Sequence, residues 1–237
     1  METNPEAIYV AFPFSLPDAK IYFDVPGGVI EAGVDQTQGT SNDWSTIQTF
    51  AAVRNEDSQI IIGTPEVPLM QLGNINTGRF KKEAVPESNR IFSYVMNNYW
   101  TTNFNADQHG EFQWNYFITS MPGNSLEKAT KFAWENRVPC IARTLPAGSN
   151  NKKAKFSGSF LSVVPQNVLV VNMKPLSNEN SILLHLREVE GKSAHVLIES
   201  EVLKNIHLTP SNVLGENVTT GSLNLKPWET KFVKLSW

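Results

Sequence analysis

The chain has 237 residues, of which 41% are hydrophobic and 18% are charged, and its formal net charge is −3. This length fits one large domain or two ordinary ones, and the composition is that of an ordinary folded protein. The charge balance offers no basic surface, so no nucleic-acid partner is predicted. No segment approaches the roughly 18 apolar residues of a membrane span, and the N-terminus lacks a signal pattern, so no membrane partner is predicted and the compartment stays open.

Cysteine and histidine usage limits the metal and thiol chemistry. One cysteine, Cys140, excludes an internal disulfide and a multi-thiolate metal site. It follows a proline and precedes Ile-Ala, so we expect a buried structural thiol. The four histidines lack ligand spacing beside a carboxylate. We expect the strands of His185 and His195 to pair as a hairpin, with solvent-facing positions favoured for both rings.

The first part of the chain predicts a series of strands. The turn formers of Asn55–Ser58 predict a hairpin, whereas Val29–Gln38 has no clear period and predicts an irregular loop. The strands and short apolar segments, chosen by alternation and β-branched or aromatic content, are Ile8–Phe14, Lys20–Val25, Thr46–Arg54, Gln59–Gly63, Leu69–Leu72, Ile91–Met96 and Glu111–Thr119.

A helix and a second set of strands follow. Asn124 or Ser125 can cap a helix over residues 125–136, and Pro139 ends it. Residues 146–155 have the composition of a linker. The short, regularly spaced strands after it predict a β-sandwich: Phe160–Val164, Val168–Lys174, Ser181–Glu188, Ser193–Glu199, Asn205–Leu208, Gly221–Leu225 and Thr230–Leu235. The chain is therefore predicted to be all-β with one short helix, in domains at 1–150 and 156–237.

Two polar and aromatic stretches carry the chemistry of a binding site. The loop Asp35–Trp44 combines acids, amides and an indole, which can bind a sugar through its hydroxyls and its C–H face. The alternative is a capped surface loop with Trp44 in the core. The stretch Met96–Phe104 places three asparagines beside two large aromatics, and here the alternative is that the amides satisfy backbone groups at an irregular strand end.

Several longer segments resemble a known family. Phe160–Val168, Leu183–Gly191 and Leu223–Leu235 resemble the C-terminal β-domain of family 38 glycoside hydrolases, the α-mannosidases. The preceding β region of bacterial members is similar to four upstream segments: Ala11–Phe14, Asp35–Trp44, Asn55–Asp57 and Met96–Phe104. The resemblance implies part of a β-supersandwich of the galactose-mutarotase type, followed by a smaller antiparallel β-sandwich.

The resemblance also implies what this chain contributes. Family members cleave α-mannosides with retention, using an Asp nucleophile and a zinc ion held in the N-terminal catalytic part, and no such motif occurs in this sequence. We therefore expect a noncatalytic region without a cofactor, whose partners are the N-terminal catalytic domain and mannose-containing glycans. Chosen by chemistry and location, the residues expected nearest a glycan are Asp43, Trp44, Asn97, Asn98, Trp100 and Asn103.

Two alternatives stay open from the sequence. One is a free-standing carbohydrate-binding module that has this fold without the enzyme. The other is an enzyme with a mutarotase-like site using His109 and Glu111, for which a lone histidine beside an acid is a weak signal.

Overall fold

The computed structural model describes residues 4–41, 43–76, 81, 85–98, 108–144, 157–177, 180–218 and 222–237. It forms two compact units, Met1–Val138 and Pro139–Trp237. The described ranges consist mainly of antiparallel strands with one helix, which confirms the predicted all-β class. Residues 145–156 lie outside the described residues, so the domain boundaries placed at 150 and 156 stay predictions.

In the first unit, the described residues form two antiparallel sheets and a helix. Its elements are β1 (Ala7–Pro13), β2 (Lys20–Val25), β3 (Gly28–Glu31), β4 (Ser45–Thr46), β5 (Phe50–Arg54), β6 (Ser58–Gly63), β7 (Leu69–Leu72), β8 (Arg90–Asn97), β9 (Phe117–Pro122) and α1 (Leu126–Arg137). The four-stranded sheet has the order β1-β8-β7-β4, and the five-stranded sheet has the order β3-β2-β5-β6-β9.

The core of this unit has two layers, because alternate residues of the five-stranded sheet face opposite sides. One side packs against the four-stranded sheet through buried residues such as Phe23 of β2 and Ile91 of β8. The other side packs against α1, where Phe50 and Ile61 meet Ala133. The predicted helix is confirmed, and its N-cap Ser125 accepts a hydrogen bond from the backbone N–H of Lys128.

The prediction of a single strand over Thr46–Arg54 is wrong, and a buried carboxylate explains why. The structure has β4 and β5 there, in different sheets. Where the chain passes from β4 to β5, the backbone N–H groups of Gln48, Thr49 and Phe50 donate hydrogen bonds to Asp24 Oδ1 on β2. The distances are 3.0, 2.7 and 2.9 Å. The Thr49 hydroxyl donates to Oδ2. Asp24 therefore fixes the point at which the chain crosses between sheets, and burial raises the pKa of its carboxyl.

The predicted irregular loop at Val29–Gln38 is also partly wrong. Its first residues form β3, which pairs with β2 around the two residues Pro26 and Gly27. Gly27 has φ +100°, a backbone conformation that favours glycine. The sequence signal for the β2–β3 hairpin therefore lay in its turn residues and not in the alternation of its strands.

The strand predicted over Glu111–Thr119 begins later than expected. Only Phe117–Pro122 pairs with β6. The preceding Asn115 is instead held by Glu66, which accepts hydrogen bonds from its backbone N–H at 3.1 Å and from its side-chain amide at 2.8 Å. Before Phe117, these hydrogen bonds to the Glu66 side chain take the place of backbone pairing with a neighbouring strand.

The described residues of the second unit form eight short strands. They are β10 (Ser162–Val164), β11 (Val168–Pro175), β12 (Ser181–Glu188), β13 (Ala194–His195), β14 (Leu197–Glu199), β15 (His207–Ser211), β16 (Asn224–Leu225) and β17 (Thr230–Ser236). The main sheet has the order β11-β12-β17-β15, and the pairs β10-β14 and β13-β16 form two small sheets. Leu184 and Leu235 of the main sheet share one core with Val196 and Ile198, as expected for a sandwich. The strand predicted over Ser193–Glu199 is split into β13 and β14.

A second buried carboxylate organises one end of this unit. Glu188 is fully buried at the end of β12. Its Oε1 accepts from the Asn167 amide at 2.8 Å and the Glu190 N–H at 2.7 Å. Its Oε2 accepts from the N–H groups of Gly191 and Trp228, both at 2.9 Å. One side chain therefore joins three separate segments.

Candidate functional site

A row of aromatic rings joins Trp44, from the first of the two stretches, to strands β8 and β1. Tyr9 of β1 and Tyr94 of β8 are register partners, and their ring centroids are 4.9 Å apart. Trp44 packs on Tyr94 at 5.6 Å between centroids, with an interplanar angle of 31°. Tyr94 is 7% exposed, whereas Trp44 is half-buried. Cross-strand pairing thus supplies a rigid aromatic base beneath the indole of Trp44.

Asp43 lies beside this row with an unsatisfied acceptor. Its Oδ1 is buried and has no hydrogen-bond partner within the described residues. A buried polar oxygen without a partner is uncommon in folded proteins and points to a contact with something else. A carboxylate oxygen next to an indole can accept a hydroxyl proton while the ring covers an apolar surface.

The asparagines at the end of β8 have different surroundings. Asn97 is the exposed last residue of the strand. Asn98 is bound to the N-terminal segment: its backbone N–H donates to the Glu6 carbonyl at 3.0 Å, and its Oδ1 accepts from the Glu6 N–H at 2.6 Å. Its Nδ2 donates to the Asn4 carbonyl at 2.9 Å. These bonds match the alternative in which an amide satisfies backbone groups at a strand end.

Trp44 contacts Tyr94, which lies three residues before Asn97 on β8. Trp100 and Asn103 lie outside the described residues. A glycan contact by any of the six named residues stays a prediction.

Sequence reasoning missed a polar cavity in the same unit. We call it the Tyr22 cavity; its volume is about 610 Å³, and it is lined by residues 17, 18, 20, 22, 54–57 and 124. Strand register brings two of the lining residues together, because Lys20 of β2 is opposite Arg54 of β5. The alternation of Lys20 and Tyr22 on β2, next to the turn at Asn55–Ser58, was the available signal.

Two residues that line the Tyr22 cavity, Lys20 and Tyr22, share Glu31 as a partner. Glu31 accepts from the Lys20 ammonium at 2.8 Å and from the Tyr22 hydroxyl at 2.7 Å. The Arg54 guanidinium lies 4.6 Å from the centre of the Tyr22 ring and donates to the Asn124 carbonyl.

Tyr22 and its partner Glu31 have shifted pKa values. Burial, followed by the Glu31 carboxylate, raises the pKa of Tyr22 to about 12. Burial acts to raise the pKa of Glu31, but the hydrogen bonds from Lys20 and Tyr22 outweigh it and hold that pKa below its usual value. At neutral pH the Tyr22 phenol therefore stays protonated and donates to an ionised Glu31.

The histidine and cysteine expectations are partly wrong. β12, which carries His185, pairs with β11 and β17, and β13, which carries His195, pairs with β16, so the expected hairpin does not form. His195 is exposed, whereas His185 is half-buried and stacks on Phe232 with ring centroids 4.6 Å apart. Cys140 is exposed rather than buried. The residues around His185 in the sequence did not show that Phe232 of β17 would stack on its ring.

The described ranges give little structural support for a metal site or for a catalytic site at His109 and Glu111. Across them, no group of three or more His, Cys, Asp or Glu side chains is placed to hold a metal ion, so the described residues do not fit the zinc that the resemblance implies for the catalytic part. His109 and Glu111 are both exposed on irregular chain before β9. None of the described helices is long and apolar enough to cross a membrane.

Comparisons with known proteins identify the fold. No family model matches the chain, and no curated protein matches it. Two solved structures match 95% of it: an α-mannosidase from Enterococcus faecalis V583, with a TM-score of 0.67 and 14% identity, and a protein in glycosyl hydrolase family 38 from Enterococcus faecalis, with 0.68 and 15%. The chain spans 25% and 26% of their lengths. As the sequence resemblance predicts, this chain has the fold of part of a family 38 glycoside hydrolase.

Proposed function

We propose that this chain is a noncatalytic C-terminal β region of an α-mannosidase-like glycoside hydrolase. The observation that carries the proposal is the match over 95% of this chain to structures of which it spans only about a quarter. A fold of this kind takes its function from specific sites, and the retaining chemistry with an Asp nucleophile and zinc is assigned to an N-terminal catalytic domain. That domain is the proposed partner.

The proposed role has a structural and a binding component. The two units supply buried cores that support the catalytic domain, and the side of the first unit with Trp44 and Asp43 borders the glycan cleft. An indole can cover the C–H face of a mannose ring, and the free Oδ1 of Asp43 can accept one of its hydroxyls. Asn97 is exposed at the end of β8, whereas Asn98 binds the segment before β1 through Glu6 and Asn4.

The first test is hydrolysis by the purified chain. We expect no turnover of an aryl α-mannoside, with or without added zinc, because the expected nucleophile and zinc ligands are assigned to the partner domain. Turnover that follows this chain through purification and is removed by Glu111→Gln would contradict the proposal and support a catalytic site at His109 and Glu111 instead.

The second candidate function is a free-standing carbohydrate-binding module, favoured by the aromatic row and the unpartnered oxygen of Asp43. Such a module would bind mannosides by itself and would be isolated from its host without a catalytic partner. The two candidates share the site and differ in the partner, so the size of the native assembly separates them.

A further inference from the structure

The main sheet of the second unit has one face in the core and one outer face. Leu184, Leu186, Val233 and Leu235 lie in the core. Side chains alternate along a strand and register partners lie on the same side, so the residues between these four belong to the other face. We call outer face the odd-numbered positions of β12, their register partners on β11 and β17, and the β15 partners of those β17 residues.

The outer face carries cations, and none of its positions is Asp or Glu. Its charged residues are Lys174 of β11, Arg187 of β12 and Lys234 of β17. Lys174 and Lys234 are the two register partners of Leu183, so a lysine lies on each side of a buried leucine. The formal charge of −3 for the whole chain gives no sign of this cationic surface.

Two side chains of the outer face have nitrogen atoms without a partner. Arg187 Nε and His185 Nε2 are buried, and neither makes a hydrogen bond within the described residues. None of the ion pairs in the described ranges includes Arg187 or Lys174. Burial, and then the Arg187 guanidinium, lower the pKa of His185. Because buried polar groups without partners are uncommon, these nitrogens point to an acceptor that the described residues do not supply.

The first unit has the complementary charge. Residues 1–138 contain 16 Asp and Glu against 9 Lys and Arg, a formal charge of −7. Residues 139–237 contain 7 Asp and Glu against 11 Lys and Arg, a formal charge of +4. The first unit of one copy therefore attracts the second unit of another copy, whereas like units repel. Charge complementarity thus selects a second copy, and two such contacts made reciprocally close a two-fold dimer.

We propose that the outer face of the main sheet binds the acidic first unit of a second copy of this chain. The Arg187 guanidinium donates to a carboxylate of that copy, because its planar N–H groups match the two carboxylate oxygens. Lys174 and Lys234 add attraction beside it, and the half-buried Phe232 ring adds apolar contact. This surface goes beyond the proposed function, because its partner is a second copy and not a catalytic domain.

The test is sedimentation equilibrium of the full 237-residue chain at low and high salt. At about 0.01 M salt, where charges act over about 30 Å, the molar mass should rise with concentration from 26.5 kDa towards twice that value. At about 1 M salt, where this range is about 3 Å, the chain should stay at 26.5 kDa. The double variant Lys174→Glu, Arg187→Glu should weaken the dimer at least about tenfold, because like charges then face each other.

The matched control is the double variant Lys204→Glu, Lys226→Glu, which makes the same change of net charge at exposed positions away from the outer face. It should dimerise within about twofold of wild type. Thermal melting shows whether the Arg187 variant folds, and Lys174→Glu alone, at an exposed position, should weaken the dimer if it does not. A monomer at low salt, a dimer that 1 M salt leaves intact, or equal weakening by both double variants overturns the proposal. A monomeric chain that binds a labelled DNA oligonucleotide through Arg187 also overturns it.

Discussion

The carboxylate of Glu188 accepts a hydrogen bond from the backbone N–H of Trp228, 2.9 Å away and forty residues later in the chain. Trp228 has φ +62°, and its ring lies against Gly191, where an added Cβ would come within 2.8 Å of the indole. Two of the segments that carry the family resemblance, Leu183–Gly191 and Leu223–Leu235, are thus joined by one buried side chain.

Removing this carboxylate should lower the urea concentration at which the second unit unfolds. Glu188→Ala leaves four donors without their acceptor, and each unsatisfied buried group costs about 1–3 kcal/mol, so we expect a loss of about 3 kcal/mol or more. Urea denaturation followed by tryptophan fluorescence measures it. Glu188→Gln is the matched control, because it retains one acceptor oxygen and should lose about half as much. Equal stability of Glu188→Ala and wild type would show that these bonds do not hold the turn.

Asp24 should play the corresponding part in the first unit. Asp24→Ala removes the acceptor for three backbone N–H groups and the Thr49 hydroxyl, and we expect a loss of about 3 kcal/mol. Asp24→Asn retains Oδ1 for the backbone groups and its new amide can donate to Thr49, so the loss should be about 1 kcal/mol. Thermal unfolding of both variants tests this order. A more stable Asp24→Ala than Asp24→Asn would contradict it.

His185 should make stability depend on pH. Burial of the ring, and then the Arg187 guanidinium, lower its pKa below the value of 6.5. The unfolded chain therefore binds this proton at a higher pH than the folded chain, and the unfolding free energy falls as pH drops from above 6.5 through the folded pKa.

Urea unfolding of wild type and His185→Phe at several pH values between about 8 and 5 measures the contribution of His185 to the pH dependence of stability. The variant retains an aromatic ring against Phe232 and should lose that part of the pH dependence. His195→Gln, at an exposed position, is the control and should behave as wild type. The same pH profile in His185→Phe and in wild type would exclude His185 as its source.

The expected glycan contact at Trp44 can be followed by fluorescence. Mannoside binding at the aromatic row should change tryptophan emission, and Trp44→Ala should remove this change and weaken binding about fivefold, because aromatic stacking contributes of order 1 kcal/mol. Trp237→Phe removes an exposed indole of the second unit and should leave the response intact. If Trp44→Ala responds to mannoside as wild type does, the ring is only a support for Tyr94.

The sequence predicted features that depend on local patterns. The turn at Asn55–Ser58 predicted the β5–β6 hairpin, and Ser125 predicted the start of α1. It did not predict features that depend on distant partners. The break after β4 needs Asp24, more than twenty residues earlier, and the late start of β9 needs Glu66. The Tyr22 cavity likewise depends on strand register, which placed Arg54 and Glu31 around Tyr22.

The size and activity of the native assembly test the central claim most directly. Antibodies against this chain should isolate from its host a polypeptide or a stable complex several times larger than 26.5 kDa, with zinc-dependent hydrolysis of an aryl α-mannoside. Depletion with the same antibodies should remove that activity from the extract. Isolation of the 237-residue chain alone, without mannosidase activity, would contradict the account.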